Sequence, residues 1–449
     1  MNAPREKPIL VATAFNAPGH AAGLMLISEH LVQRGFKIYF ITGPSFKASI
    51  EKMGAEFVEN PWAWEPVMAQ GPPDPDQPWR FKHVFGDSTP DAHRVLKATL
   101  ERVRREHPNR EVVILHESIS GGLGPFTYGA PLPEGYSSLP KSINFHTSVY
   151  ITKDPNFPPF GPGFPYDPTP ENLALWRSVR DATEPGLSSI VEHYNALYKA
   201  LGATRPITAG FFDFLLALGD VTVLATIQSL EYPIPNKPSR LRLIGGLPLK
   251  PVDPDFAFPA WWPAITANAA LPSDSPDRKK VIFVTQGTVH RDYTEVIIPT
   301  IQALAGRTDL IVVATLGARG AEFDSSVAIP ENTIVVDYFP YNAVLPYTDV
   351  FVSNAGYGGF MQGVMNGVPM VLAGTIADKA EVCARAEYAG VAVNLRAQKP
   401  GQEAIGQAVE KVLKEDRYKI RAMELKWENE GMDALRRIEV IIDELVGGK

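Results

Sequence analysis

The chain has 449 residues, one cysteine and a formal net charge of -7, and these properties exclude several classes of protein. The charge indicates neither a nucleic-acid groove nor a surface for anionic membranes, and the lone Cys383 leaves no intrachain disulfide and no cysteine-based metal site. No long uninterrupted apolar run predicts a membrane span, and the N-terminal segment lacks a signal-peptide core, so we expect a cytoplasmic protein. Because single cores rarely exceed about 250–300 residues, the length predicts two domains.

The first half of the chain alternates between apolar strands and amphipathic helices. Such alternation is typical of a parallel, doubly wound sheet. The predicted strands lie at 8–15, 37–42, 55–58, 111–115, 142–151 and 221–227, and the predicted helices at 21–33, 46–53, 91–106, 171–182 and 187–201. Two long proline-rich and aromatic segments, 60–90 and 154–170, show no periodicity, and loops of this length are commonly binding loops.

A second run of the same alternation follows a proline-rich connector, in which we place the domain boundary. The sequence thus predicts domains at 1–247 and 278–417, a connector at 248–277 and a final helical segment at 418–449. The predicted strands of the second domain lie at 280–285, 310–315, 333–336, 349–353, 368–372 and 391–395, with helices that include 380–388 and 402–415.

The segment 337–378 contains a strand, a glycine-rich turn and a helix. The strand 349–353 ends at the turn 354–359 (NAGYGG), which leaves bare backbone N–H groups at the start of the next helix. Such a turn suits a diphosphate, although a glycine cluster alone is equally typical of a tight strand–helix connection. Gly287 and Thr288 end another predicted parallel strand and add donors at the same sheet edge.

Two polar side chains near this turn allow two interpretations each. Asp378 follows the strand 368–372 and either accepts hydrogen bonds from sugar hydroxyls or caps the next helix. Gln362, in the helix after the turn, either reaches a ribose or faces solvent.

His20 lies where the first predicted strand passes into the first predicted helix. An imidazole at this position is a candidate general base, and the helix N-terminus should lower its pKa. Glu117, at the end of another strand, is a candidate partner that orients the ring, while His116 is a competing candidate. His93, His146, His193 and His290 show no paired spacing for a metal, so we expect no metal site.

Several common nucleotide motifs are absent from the sequence. No GxGxxG fingerprint follows the first strand, which argues against a nicotinamide enzyme. The sequence also has no Walker A motif, which argues against a phosphoryl-transfer enzyme.

The chain resembles the nucleotide-sugar glycosyltransferases that include the plant, bacterial and fungal UDP-glycosyltransferases. This family has the GT-B fold, in which two Rossmann-like α/β domains with doubly wound parallel sheets face each other across the active site. The resemblance covers most of the chain, and its matching segments are PGH at 18–20, EYP at 231–233, IGGL at 244–247, YFPY at 338–341, SNAGYGG at 353–359, GVP at 367–369 and DK at 378–379.

The resemblance implies a role for each matched residue. His20 corresponds to the catalytic base and Glu117 to its supporting acid, while Tyr338 corresponds to the aromatic residue that stacks on the donor base. The other implied donor-binding residues are Gly287, Thr288, Phe339, Tyr341, Asn354, Gly356, Gly358, Gly359, Gln362, Asp378 and Lys379.

Five residues depart from the pattern of the family. Asn354 stands where a histidine usually contacts the diphosphate, so neutralisation of the phosphate charge is weaker or comes from elsewhere. Gly358 and Gly359 replace a common Asn-Ser pair, Gln362 replaces Glu, and Lys379 replaces the common Gln.

We therefore expect an inverting enzyme that transfers glucose from UDP-glucose to a hydroxyl of a small lipophilic or aromatic acceptor. The scheme needs no metal and no resident cofactor, and we expect a monomer or homodimer whose partners are the acceptor and the nucleotide sugar. The predicted acceptor residues lie in 60–90, 126–136 and 154–170 and are Trp62, Trp64, Phe126, Phe157 and Phe160. The alternatives are a nucleotide-sugar epimerase of the same fold and a non-catalytic activator subunit.

Overall fold

The computed structural model describes residues 6–73, 75–234, 236–288 and 291–447. Two parallel β-sheets organise these residues, one of seven strands in the first half and one of six strands in the second. Most of the strands are buried throughout, as expected for sheets that helices cover on both faces.

The first sheet brings the ends of the first and fourth strands together. Its strands are β1 (Ile9–Thr13), β2 (Ile38–Thr42), β3 (Glu56–Glu59), β4 (Val112–Glu117), β5 (Lys141–His146), β6 (Val221–Leu224) and β7 (Leu241–Leu243). They lie in the order β3-β2-β1-β4-β5-β6-β7 and every neighbouring pair is parallel. The winding direction changes between β1 and β4, where open α/β sheets bind ligands beyond the carboxyl ends of the strands.

Eight helices accompany this sheet within the described residues. They are α1 (Pro18–Gln33), α2 (Lys47–Lys52), α3 (Glu65–Gln70), α4 (Gln77–Arg80), α5 (Thr89–Glu106), α6 (Gly124–Thr127), α7 (Pro170–Ala200) and α8 (Phe211–Ala217). A π-helical turn, Phe81–Phe85, and a 3₁₀ turn, Gly86–Ser88, connect α4 to α5.

The second sheet repeats this arrangement. Its strands are β8 (Lys280–Thr285), β9 (Leu310–Thr315), β10 (Thr333–Val336), β11 (Val350–Ser353), β12 (Met370–Leu372) and β13 (Ala392–Asn394), in the parallel order β10-β9-β8-β11-β12-β13. The helices of this half are α9 (Trp262–Ala270), α10 (Ile297–Ala303), α11 (Tyr341–Val344), α12 (Tyr357–Asn366), α13 (Lys379–Tyr388), α14 (Gln402–Lys414), α15 (Arg417–Glu430) and α16 (Ala434–Gly447). The switch in winding lies between β8 and β11, at the predicted donor turn.

The last helix packs on the first half of the chain. Ile438 and Ile442 of α16 are buried in the core that covers one face of the first sheet. The Glu439 carboxylate on the same helix lies 2.7 Å from Nε2 of His30 and 3.3 Å from Nε of Arg34. His30 lies in the last turn of α1, and Arg34 follows that helix directly.

A buried ion network joins α13 to the first half of the chain. Nε of Arg385 donates to the Glu231 carboxylate at 2.9 Å, and Nη2 donates to the Tyr150 carbonyl at 2.6 Å. The guanidinium also lies 4.5 Å from the centre of the Tyr232 ring. The neighbouring Glu381 contacts Arg385 at 3.2 Å. These contacts link α13 of the second half to residues of the first half.

The structure corrects the predicted break near 185. The sequence predicts two helices, 171–182 and 187–201, because Pro185 removes a backbone donor. The structure has one helix, α7, with Pro185 inside it. Trp176 and Tyr194 are buried on either side of the proline, so packing along one face outweighs the lost hydrogen bond.

Two segments predicted as irregular contain short helices. The segment 60–90 holds α3, α4 and the π-helical turn, and the connector 248–277 holds α9. Helix α8 and strand β7 have no counterpart among the predictions either, because short elements give little periodicity. No helix among the described residues is long and apolar enough to cross a membrane.

Candidate active site

His20 and Glu117 meet at the switch point of the first sheet. His20 lies in the first turn of α1, and its Nδ1 is 3.1 Å from Oε1 of Glu117. Because a carboxylate only accepts hydrogen bonds, Nδ1 carries the proton and Nε2 keeps its lone pair. Within the described part of the chain Nε2 has no hydrogen-bond partner, and the His20 side chain is 24% exposed. The imidazole therefore presents a free acceptor atom to the space above the sheet.

Glu117 is the last residue of β4, and its side chain is fully buried. Besides His20, its Oε1 accepts hydrogen bonds from the Ile119 N–H at 3.2 Å and from the Thr147 hydroxyl at 3.4 Å. These contacts fix the carboxylate, and the fixed carboxylate in turn orients the imidazole ring.

The pKa of His20 lies above its ordinary value. Burial lowers this pKa, but the charge of Glu117, its hydrogen bond and the charge of Asp378 together outweigh burial. The expectation that the helix N-terminus lowers the pKa is therefore wrong, because two nearby carboxylates dominate.

His116 is not an alternative to Glu117. Neighbouring residues of a strand point to opposite faces of the sheet, and Nε2 of His116 lies only 3.2 Å from where a Cβ would stand at Gly219, on the far side. The side chain is buried, and burial lowers its pKa to about 4.

Aromatic rings surround the imidazole of His20. The ring centroids of Phe15 and Phe85 each lie 5.6 Å from that of His20 in edge-on arrangements. Phe15 is buried behind the site, whereas Phe85 belongs to the π-helical turn and is partly exposed.

Phe85 begins a row of four rings, which we call the aromatic wall: Phe85, Phe81, Phe212 and Phe160. Successive ring centroids are 5.7, 6.1 and 4.8 Å apart. Phe81, Phe85 and Phe160 are partly exposed. The wall therefore extends an apolar surface away from the imidazole. Phe160 is the member of the wall that was also predicted as an acceptor residue.

Two of the predicted acceptor residues are core residues instead. Phe126 is 4% exposed and packs 4.2 Å from the ring of His93, and Phe157 is 3% exposed beneath the rings of Tyr150 and Tyr232. Neither side chain has surface left for an acceptor, so the prediction is corrected for both.

Trp62 and Trp64 support the loop that leads to His20. The Trp64 indole N–H donates to the Asn16 carbonyl at 2.9 Å, and the Asn16 amide donates to the Trp62 carbonyl at 3.4 Å. Both indoles are partly exposed beside the β1–α1 loop.

The glycine turn after β11 leaves open space at the start of α12. Gly356 immediately precedes the helix, and a Cβ built at Gly358 would meet nothing within 4 Å. A Cβ built at Gly359 would lie 3.7 Å from the Tyr341 ring and would have no nearer neighbour outside its own helix among the described residues. Ala355 adopts a left-handed conformation, with φ of 58°, which is costly for a residue with a side chain. A ligand can therefore approach the N–H groups closely.

Asn354 has a structural role in this turn. Its side chain is buried, and Nδ2 donates to the Gln286 carbonyl at 2.8 Å, which ties the end of β11 to the end of β8. Gly287 (φ 74°) lies beside open space, and Thr288 is exposed. His290 lies outside the described residues.

The aromatic residues before α11 lie in different environments. Tyr338 is 40% exposed, and the Arg319 guanidinium lies 5.0 Å from the centre of its ring. Phe339 is only 1% exposed in the core, so its predicted contact with the donor is corrected. Tyr341 is partly exposed and donates to the Thr285 hydroxyl at 3.0 Å, beneath the glycine turn.

Asp378 reaches across to the first half of the chain. Its Oδ2 accepts a hydrogen bond from the Ser148 hydroxyl at 2.6 Å, and its side chain makes no capping hydrogen bond to α13. Ala377, just before it, has φ of 59°, and its carbonyl accepts from Gln77 at 3.2 Å. Asp378 therefore occupies the N-cap position of α13, but its side chain binds Ser148 instead of capping the helix.

Lys379 is a buried cation without a hydrogen-bond partner in the described residues. It is 5% exposed, and Nζ makes no hydrogen bond there. Burial lowers its pKa to about 8, although Glu295 and Asp378 oppose this shift. A buried ammonium without a partner is costly, so the site favours an anion.

Gln362 lies in α12 with its side chain partly exposed. Its backbone carbonyl accepts from the Asn366 side chain at 2.8 Å, and its side-chain amide makes no hydrogen bond within the described residues.

Sequence patterns miss Ser148, Thr147, Phe85 and Phe212. Phe85 lies in a segment with binding-loop character, which was the one available signal. Thr147 and Ser148 follow β5, Phe212 lies in the short helix α8, and none of the three belongs to a distinctive motif.

The comparisons with known proteins agree with this architecture. The family described as "UDP-glucoronosyl and UDP-glucosyl transferase" matches residues 189–429, more than half of the chain. UDP-glucosyltransferase 1 of Beauveria bassiana is 38% identical over 441 residues, which span 96% of this chain and 94% of that protein. UDP-glycosyltransferase 2 of Phaeomoniella chlamydospora is 32% identical, over 99% of this chain and 97% of that protein.

A solved structure has the same fold. The glycosyltransferase of kitacinnamycin superimposes with a TM-score of 0.70 at 20% identity and covers 98% of this chain and 100% of its own. The predicted GT-B fold and enzyme class are thereby confirmed. The chain belongs to the UDP-glucuronosyl and UDP-glucosyl transferase family and is a glycosyltransferase.

Proposed function

We propose that the protein transfers glucose from UDP-glucose to a hydroxyl of a small lipophilic or aromatic acceptor, with inversion at the anomeric carbon. The observation that carries this proposal is the His20–Glu117 pair, in which the partly exposed imidazole has no hydrogen-bond partner at Nε2 among the described residues. The relatives named above are glucosyl- and glycosyltransferases, which supports transfer rather than epimerisation or a purely regulatory role.

The transfer step follows from the tautomer of His20. Nε2 takes the proton of the acceptor hydroxyl, and the oxygen attacks the anomeric carbon as the bond from that carbon to the diphosphate oxygen breaks. Glu117 stabilises the resulting imidazolium through Nδ1–H. Attack from the face opposite the leaving UDP inverts the configuration.

The donor half supplies positive partial charge where the leaving group develops negative charge. The N-terminus of α12 offers unencumbered N–H groups at Gly358 and Gly359, and Thr288 adds a hydroxyl. We assign the missing full charge to Lys379, because its buried ammonium has no described partner and Asn354 is occupied by Gln286. Asp378 then binds sugar hydroxyls in place of Ser148.

The aromatic wall supports an apolar acceptor. It begins at the ring that contacts His20, and three of its four phenyl groups are partly exposed. An aromatic acceptor on this wall places its hydroxyl beside Nε2 by stacking and edge-on contacts. In this scheme no resident cofactor takes part, and the nucleotide sugar is a co-substrate.

The test combines nucleotide binding with product formation. We expect UDP to raise the melting temperature more than dTDP or GDP does, and mixed phenols with UDP-glucose to give products heavier by one hexose. His20→Ala should keep the UDP shift and lose product by roughly 100-fold or more. His30→Ala, which removes a histidine paired with Glu439 outside the site, should retain activity. Absence of any nucleotide-dependent shift in the wild-type protein overturns the proposal.

A further inference from the structure

Three side chains outside the transfer site converge on one point: His83, Asp87 and His193. Nδ1 of His83 lies 2.9 Å from one Asp87 oxygen, and Nε2 of His193 lies 2.6 Å from the other. The candidate ligand atoms all lie within 4.8 Å of one another. We call this group the histidine–aspartate cluster.

The fold brings the cluster together from two distant parts of the chain. His83 belongs to the π-helical turn, Asp87 to the 3₁₀ turn that follows, and His193 to α7. A π-helical turn is a rare local distortion that is often found at functional sites. At Gly86 a Cβ would stand 3.1 Å from Cδ2 of His193, so the absence of a side chain lets the two segments approach.

The composition of the cluster matches a transition-metal site. Two imidazole nitrogens and one carboxylate oxygen form the ligand set of many three-ligand zinc sites, in which water completes the coordination. The side chains are 37%, 34% and 25% exposed for His83, Asp87 and His193, so an ion and its water ligands can enter from solvent.

We propose that His83, Asp87 and His193 bind a divalent transition metal such as Zn²⁺, and that the ion fastens the π-helical turn to α7. Metal–ligand bonds of about 2.0–2.2 Å place neighbouring ligand atoms roughly 3.3 Å apart, so both imidazole nitrogens come to about this distance from the one Asp87 oxygen that binds the ion. Each imidazole must offer a lone pair instead of an N–H, so each proton moves to the other ring nitrogen or is released to solvent.

The ion takes no part in bond making in the transfer reaction. It lies on the side of the π-helical turn that faces α7, while Phe85 of the same turn contacts His20. The three ligands therefore include no residue that is assigned to donor or acceptor binding.

The test is calorimetric titration of the chelator-treated full-length protein with ZnCl₂ at neutral pH. We expect one equivalent to bind to the wild-type protein, and His193→Ala or His83→Ala to weaken binding by at least about 100-fold. The control is His30→Ala, because His30 also pairs with a carboxylate but has no second histidine beside it in the described residues. Its titration should match that of the wild type.

Hydrogen–deuterium exchange provides a second readout that does not depend on a variant. Zn²⁺ should slow backbone exchange at least threefold in residues 81–88 of the wild-type protein and leave the region of His30 unchanged. The proposal is overturned if the wild type binds no Zn²⁺, or if His193→Ala and His83→Ala bind it as tightly as the wild type does.

Discussion

The Arg385 guanidinium lies 2.9 Å from the Glu231 carboxylate, and this pair joins the second half of the chain to the first while almost completely buried. The side chains are 2% and 1% exposed. A buried ion pair that loses one partner leaves an uncompensated charge in the interior, which is the costly case.

Arg385→Met should therefore lower the free energy of unfolding by about 3–5 kcal/mol, because it leaves the buried carboxylates of Glu231 and Glu381 without their cation. The measurement is urea denaturation followed by tryptophan fluorescence. Arg396→Met serves as the matched control, because Arg396 and Glu387 form a pair at 2.6 Å that is 52% and 38% exposed. An exposed pair contributes at most about 1 kcal/mol, and equal losses in the two variants would contradict the prediction.

Glu117→Gln should move the pH profile of the transfer reaction to lower pH. The pKa of His20 is raised because the carboxylates of Glu117 and Asp378 outweigh burial. Without the Glu117 charge, burial has more weight and the pKa falls. Since the neutral imidazole is the active base, the acid limb of kcat/KM should shift downward, while kcat drops by about 100-fold because the imidazolium loses its support.

The pH profile is measured with saturating acceptor and varied UDP-glucose. Glu439→Gln provides the control, because it removes the carboxylate beside His30 and leaves His20 untouched. A profile of Glu117→Gln that coincides with that of the wild type would exclude the assigned role of Glu117.

Lys379→Met should weaken UDP binding by about tenfold or more, as expected for the loss of a charge-assisted contact of about 1.5–3 kcal/mol. Burial lowers the pKa of Lys379 to about 8, so the contribution of this ammonium to UDP binding should depend on pH, which a loss of folding in the variant would not imitate. The ammonium is charged below this pH, so wild-type affinity for UDP should decline as the pH rises through about 8. Lys379→Met should show no such decline.

Calorimetric titration with UDP across this pH range tests the prediction. The control is Lys399→Met, which removes an exposed lysine paired with Asp292. If the affinity of Lys379→Met equals that of the wild type throughout, the ammonium does not contact the nucleotide.

Phe85→Ala should raise the KM for an aromatic acceptor about tenfold, which corresponds to about 1.4 kcal/mol, and should leave UDP affinity unchanged. Phe85 is the ring of the aromatic wall that contacts His20. Phe85→Leu, which keeps an apolar side chain, should recover part of the loss. Phe258→Ala is the control, because this phenyl group is 45% exposed on the connector, and an equal effect there would remove the wall from acceptor binding.

The elements of this fold that could be predicted are those that local sequence patterns determine. β1 and β11 were predicted correctly, because each is an apolar run that ends at a turn with glycine. His20 and the glycine turn 354–359 could be identified as site residues because they follow these two strands. The continuity of α7 through Pro185 was not predictable, because it depends on packing against residues distant in sequence.

The candidate site divides in the same way. His20 and Glu117 could be paired in advance, because both lie at carboxyl ends of strands in one parallel sheet. Ser148 could not be connected with Asp378, since their contact depends on how the two sheets face each other. The burial of single side chains could not be predicted either. Phe157 and Phe160 lie in the same aromatic segment, yet Phe157 belongs to the core and Phe160 is partly exposed.

Helix α16 also sets an order of events during protein synthesis. Ile438 and Ile442 complete the core of the first sheet, but the ribosome makes them only after the whole second half. Until then the face of α1 that they cover remains open, so the helix that carries His20 can reach its final packing only after residues 434–447 have been made.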